Sequence, residues 1–361
     1  MSKPQSTAGN KKTRFPSSTG FSGSALPWRI AGFSVLILVS ILLCIALGSV
    51  PIALDKTARV LLDALRGIRA AGDMETTIIL TIRLPRVLGV FLVGASLSIC
   101  GAAMQGLLRN PLADGATLGV SAGASLGAML AILFGISLPL MPLAGTALVA
   151  VLFAFLSLML VLSLAYALDR SLATSTIILI GVIYTMFMGS LMSLLISFSG
   201  SKLRSITFWT MGSLSGTGYA EVIFLSVALL VCGSALLLSS RELDAFAMGE
   251  DNAHNIGVSV KQVKLRVMIF VSILIGVSVS IGGTIGFVGL VIPHISRLVI
   301  GPSHRRLLPA SIVLGGVFLL FCDLLARTLL SPIELPLGVV TSLIGAVFFL
   351  VILIRSRRRM A

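Results

Sequence analysis

Charge is scarce in this chain: Asp, Glu, Lys and Arg make up 11% of its 361 residues, and only 13 residues are acidic. A soluble domain carries about 25% charged residues, so a water-facing surface all round is excluded. Acids are almost missing from the apolar runs, which leaves a carrier coupled to an ion gradient without its usual relay. No GxxxxGK[ST] phosphate loop occurs, so nothing in the chain provides for binding ATP. HExxH and GxSxG are absent too, and His254, His294 and His304 lack metal-ligand spacing. No catalytic constellation, metal site or cofactor is expected, and the chain does not read as an enzyme. Cys44, Cys100, Cys232 and Cys322 lie singly in apolar runs without a CxxC pair. They read as small buried hydrophobes and carry no information on redox compartment.

What fills the chain is apolar: 57% hydrophobic residues and a mean hydropathy of +1.08. The expected fold class is an all-α polytopic membrane protein. Apolar runs near 28–50, 84–107, 117–135, 141–168, 174–198, 222–238, 263–285, 287–300, 307–330 and 336–354 suggest about ten spans, each near the roughly 20 residues that cross a bilayer. The eighth is short and reads as a broken helix, tolerated only where other helices bury it. Residues 1–27 are polar and expected to be a disordered cytoplasmic tail, 28–355 a single transmembrane domain, and 356–361 a basic cytoplasmic tail. The formal charge of +14 sits in tails and loops, where it orients the chain; nucleic acid is not an expected partner. Lys3, Lys11, Lys12, Arg14 and Arg29 before the first run, and Arg355, Arg357, Arg358 and Arg359 after the last, place both termini inside.

One outer segment resists the orienting rule, because Lys56, Arg59, Arg66, Arg69, Arg83 and Arg86 crowd it. These charges are expected to have work there. Gly115, Gly119, Gly123 and Gly127, continued by Ala131 and Gly135, leave one face of the third span nearly bare for close packing. Gly106-Leu107 with Pro111, and Gly289-Leu290 with Pro293, punctuate the two halves alike, a weak internal repeat that would be inverted, as in many transporters. Asp323 and Arg327, four apart, suit a pair on one helix face.

The polar island from Arg241 to Arg266 separates the apolar halves. Within it two helix-sized pieces, 243–248 and 250–256, are each stopped by a glycine, Gly249 and Gly257. The resulting helix-turn-helix knob is either a packed connector or a docking element for a soluble partner.

Five blocks carry a family resemblance: Arg83-Leu84-Pro85-Arg86, the run from Gln105 to Ser125, the island's MGEDNAHNIGV, the run from Gly282 to Arg297, and that from Glu334 to Ala346. In this order they resemble the FecCD-like permease subunits of iron-siderophore, haem and cobalamin ABC importers. Gly115 stands where relatives usually carry proline, which would loosen that turn. The resemblance implies ten helices, a second permease subunit, two ATPase subunits beneath, an extracytoplasmic substrate-binding protein above, and a bacterial or archaeal cytoplasmic membrane with its lipid around them. It implies coupling helices at about 243–258, with Met248, Gly249, Glu250, Ala253, Ile256 and Gly257 filling or shaping the ATPase contact. It implies a cytoplasmic gate at Asn110, Leu112, Thr174 and Ser175, each of which except Leu112 also suits a helix cap. It implies docking of the binding protein at Arg83, Arg86 and Arg327. The expected cargo is an iron(III)-siderophore, then haem or cobalamin, then an oxyanion. Gly181, Ser190, Gly338, Thr341 and Ser342 are candidates for the pathway wall. An ion-coupled secondary transporter is the rival.

Overall fold

The computed structural model describes residues 26–48, 52–67, 73–136 and 142–360, and no strand occurs among them. The elements are α1 (Leu26–Ala46), α2 (Leu54–Leu65), α3 (Met74–Thr77), a π-helical stretch (Ile78–Arg83) leading into α4 (Leu84–Leu107), α5 (Val120–Phe134), α6 (Pro142–Leu168), α7 (Thr174–Ser197), α8 (Leu203–Thr210), α9 (Tyr219–Leu238), α10 (Ser240–Phe246), α11 (Glu250–Asn255), α12 (Val260–Gly282), α13 (Val288–Ile300), α14 (His304–Thr328) and α15 (Leu337–Met360).

Among the described residues, six stretches are long and apolar enough to cross a bilayer, those ending at Leu107, Leu168, Ser197, Leu238, Gly282 and Thr328. Four shorter apolar helices, Ala31–Ala46, Val120–Phe134, Val288–Ile300 and Leu337–Val351, coincide with the remaining expected runs. At about 1.5 Å per residue, the 13 residues of α13 reach only about 20 Å. The start of the non-helical backbone before it is bonded to protein, as the bilayer requires: Ser213 donates its N–H to the Gly282 carbonyl at 2.9 Å, and the Thr284 hydroxyl donates to Thr210, while Gly286 is exposed.

Burial ranks the helices. The span containing α4 is 83% buried inside the subunit while α7 is only 28% buried, so α4 is the axis of the bundle and α7 offers a free face. Glycines let neighbours reach α4. A Cβ on Gly94 would strike the Gly315 backbone and Leu319, and one on Gly101 would strike the Gly289 carbonyl. Without a hydrophobic drive between helices in lipid, such close approach supplies the packing. The repeated glycine motifs therefore meet: the Gln105 amide donates to the carbonyls of Gly289 and Leu290 at 3.3 and 3.2 Å. The four cysteines are free and buried.

Two expectations are corrected. The glycine row serves the α5–α6 contact only in part: Cβ atoms on Gly123 and Gly127 would meet Ser157 and Phe153 of α6, whereas Gly115 and Gly119 precede α5 and face Ile275 and Tyr184. The Ile275 side chain occupies the space a Cβ at Gly115 would need, so the missing proline goes with packing there. The segment expected as an outer loop contains α2, whose polar residues make local ion pairs. Helix α15 runs on to Met360, through most of the segment expected as a basic tail. The expectation for the N-terminal tail lies, through residue 25, outside the described residues.

Candidate functional site

At one end of the bundle the island folds as the glycine stops require. Gly249 takes φ +112° and Gly257 φ +92°, a region that strains other residues, and these turns bound α11. Leu243, Phe246 and Ala253 are fully buried and seat the knob on the bundle. Asp244 fastens it further. Its carboxylate accepts the His304 backbone N–H at 2.7 Å, lies 2.7 Å from His304 Nδ1, and accepts from Ser303 Oγ at 3.0 Å. It thereby supplies an anionic cap to the N-terminus of α14, where unpaired N–H groups favour negative charge. The outer side of the knob is different: Met248 is 66% and Ile256 65% exposed, two large apolar side chains held out from an otherwise polar segment. Ala253 was expected to help fill or shape a partner's cleft. Its complete burial shows that it packs the knob from behind.

The gate candidates lie beside this knob. Asn110 follows Arg109 (φ +49°), and its Oδ1 accepts the Leu112 N–H at 2.9 Å, closing a turn that leaves Leu112 half exposed. Thr174 opens α7 but does not cap it. Asp169 braces the turn before α7 instead, accepting from the N–H groups of Ser171 and Ala173 at 2.9 and 3.0 Å, and its carboxyl is held below its usual range, first by the Ser171 side chain. The Thr174 hydroxyl instead donates to Glu250 Oε1 at 3.2 Å, across 76 positions of sequence. Ser175 is exposed. No hydrogen bond joins Asn110 or Leu112 to Thr174 or Ser175 among the described residues; the knob's turn lies against both segments.

At the other end of the α4–α14 pair, Arg83, Arg86 and Arg327 are 5%, 8% and 4% exposed. Arg86 holds Asp323 at 2.9 Å and Glu334 at 3.0 Å, and Arg327 holds the second oxygen of Asp323 at 2.9 Å. Arg83 donates to the carbonyls of Ile45 and Ala46 at 2.8 and 2.9 Å, and Arg327 to that of Cys44 at 3.1 Å. These are the orphan carbonyls at the end of α1, which attract cations. Lys56 pairs with Asp73 and Glu75, and Arg59 with Asp55. Much of the basic excess of this segment is thus answered inside the subunit. Of the pathway candidates, Gly181, Gly338 and Thr341 are buried, Ser342 half-buried and Ser190 exposed.

The profile of the FecCD transport family matches residues 36–355. The chain belongs to the FecCD transport family. Relatives of similar length agree. An ABC transporter permease of Bacillus subtilis, YvrB, is 46% identical over 91% of this chain and 94% of its own length. The hemin transport permease HmuU of Yersinia pestis is 37% identical over 93% and 98%. A cobalamin import permease of Halobacterium salinarum is 41% identical over 78% and 75%. A solved inward-facing structure ascribed to a metal-chelate type ABC transporter superposes with a TM-score of 0.78 at 32% identity, covering 91% of this chain and 99% of that one. As a FecCD member the chain is the permease subunit of an ABC importer, a multi-pass membrane protein. Sequence reasoning missed the partners of the site, namely Asp169, Lys264, Asp244, His304 and Glu334; Asp244 and Lys264 lie in the polar island and Glu334 opens one of the five blocks, but no spacing in the sequence pairs them with the residues they meet.

Proposed function

We propose that this subunit conducts a metal chelate, an iron(III)-siderophore first and haem or cobalamin next, inward across the cytoplasmic membrane. A second permease subunit completes the pathway, two ATPase subunits grip the knob, and an extracytoplasmic binding protein docks at the arginine-rich end. Both termini and the knob then face the cytoplasm. The observation that carries this reading is the knob itself: Met248 and Ile256 stand exposed on a support fixed by Leu243, Phe246, Ala253 and Asp244. Exposed apolar anchors on a rigid base are what a partner's pocket recognises. Supporting it, the free face of α7 turns its hydroxyls back on its own helix, with Ser190, Ser193 and Ser197 donating to carbonyls four residues earlier. Such a wall is weakly polar and holds a bulky cargo loosely, and transport needs release as well as entry. At the far end the three arginines against Asp323 and Glu334 leave one positive charge in excess, a rigid base for docking an acidic partner.

The test is uptake into vesicles holding this chain with its ATPase, second permease and binding-protein partners, supplied in turn with a ferric hydroxamate, haem, cyanocobalamin and molybdate. ATP-dependent accumulation of a chelate is expected. Accumulation of molybdate alone overturns the cargo, and accumulation driven by an ion gradient without ATPase overturns the mechanism.

A further inference from the structure

We propose that Glu250 is the positioning residue that makes the gate turn before α7 follow the knob, acting as a two-ended strut between Thr174 and the fixed cation Lys264. The proposal rests on the permease reading above and adds how movement would cross from the docking surface to the gate.

Lys264 is 1% exposed, on α12. A buried ammonium is costly unless paired and hydrogen-bonded, and its Nζ reaches Glu250 Oε2 at 2.7 Å and the Leu172 carbonyl at 3.0 Å. Leu172 has φ +53°, an uncommon backbone state for a leucine that persists only where its surroundings impose it. Here two charged groups impose it. Lys264 holds its carbonyl from one side, and Asp169 holds the amides of Ser171 and Ala173 from the other. The turn from Asp169 to Ala173 is therefore a braced unit, and Thr174 is the next residue.

Glu250 connects that unit to the knob. Its two carboxylate oxygens are divided, Oε1 accepting from Thr174 and Oε2 from Lys264. It directly follows Gly249, the residue at φ +112° where the knob turns. On the other side of this turn, a Cβ placed on Gly249 would lie 3.9 Å from Arg109 Nη1, next to Asn110. The Gly249-Glu250 turn thus abuts both gate segments but is hydrogen-bonded to the α7 one. A force applied to α11 by a docked partner reaches Thr174 through one carboxylate, which Lys264 holds in place.

Ser175→Cys provides the readout, because Ser175 is exposed and the four native cysteines are buried. In the complex assembled with its ATPase subunits, the rate at which a water-soluble maleimide labels this cysteine is measured with and without ATP plus vanadate. Thr174→Val removes the hydroxyl while leaving the Glu250–Lys264 pair in place, and Glu250→Gln keeps the shape while removing the charge. Each is expected to shrink the nucleotide-dependent change in labelling about tenfold, the low end of the effect of losing one hydrogen bond to a charged group. The double variant should be no worse than either alone, and Thr174→Ser should restore the response relative to Thr174→Val. A purely structural role would change assembly or stability without removing the response to nucleotide. If both single variants assemble and respond in full, the strut is refuted. If Ser175→Cys shows no response even with Thr174 and Glu250 intact, and no ATPase complex forms, the permease reading fails and the strut with it.

Discussion

Replacing Asp323 with Asn isolates the dry arginine cluster. Asp323 is 1% exposed and serves both Arg86 and Arg327 at 2.9 Å, each of those side chains being under a tenth exposed. Removing one partner of a buried pair costs about 3–5 kcal/mol, because a charge is left buried without compensation. Asn keeps the shape and one acceptor, and Arg86 keeps Glu334, so the low end, about 3 kcal/mol, is expected. The internal comparison is Arg59→Ala. That residue pairs with Asp55 at 2.6 Å, but the two side chains are 75% and 64% exposed, and such pairs contribute about 0–1 kcal/mol. Reversible unfolding in mixed detergent micelles, followed by tryptophan fluorescence, measures both. A gap of about 2 kcal/mol or more is expected. If Asp323→Asn costs no more than Arg59→Ala, water reaches the cluster and the reasoning fails. The same geometry governs any docking experiment here: changing Arg83, Arg86 and Arg327 together to Glu would gather five carboxylates with Asp323 and Glu334. The subunit would then fail to fold before docking was tested.

Met248→Asp and Ile256→Asp change exposed side chains, so the chain should insert normally yet lose co-purification with its ATPase; Ala253→Arg forces a cation into a buried position and should unseat the knob itself, seen as protease sensitivity between 240 and 258. Gly123→Leu should cost about 1–3 kcal/mol by overpacking the α5–α6 contact, whereas Gly189→Ala, with open space at its Cβ, should be neutral or stabilising in the same unfolding assay. Asp251→Cys should label only from the cytoplasmic side and Arg204→Cys only from outside; reversed labelling overturns the orientation. The Asp169 carboxyl is depressed in the fold, so its contribution is full above the unfolded value near 3.9 and is lost as pH falls through the lower folded value. Amide exchange at Ser171 and Ala173 should accordingly be flat from about pH 5 upward once intrinsic rates are removed, and rise in stronger acid.

The sequence alone determined what local physics writes into a chain. Apolar runs of bilayer length placed the helices, because a backbone in lipid must bond within itself. Gly249 and Gly257 marked the ends of α11, because only glycine adopts those turns without strain. Both the knob and the close-packed Gly123 and Gly127 could be read in this way. Which residue answers which charge was decided only by the tertiary structure. Arg86 meets Asp323 across 237 positions, and Thr174 meets Glu250 across 76; no periodicity records such a meeting. Six basic residues in one outer segment read as a surface, and Arg83 and Arg86 turned out to be interior, since the end of α1 and Asp323 happen to come to them. Ala253 read as a contact for a partner and is packing, because the side of α11 that faces the bundle depends on how the knob is seated by Asp244 and Phe246. The bond between Glu250 and Thr174, with Lys264 behind it, likewise exists only because the starts of α7, α11 and α12 come together in the bundle, and in a low-dielectric interior each buried charge must find its counterpart there.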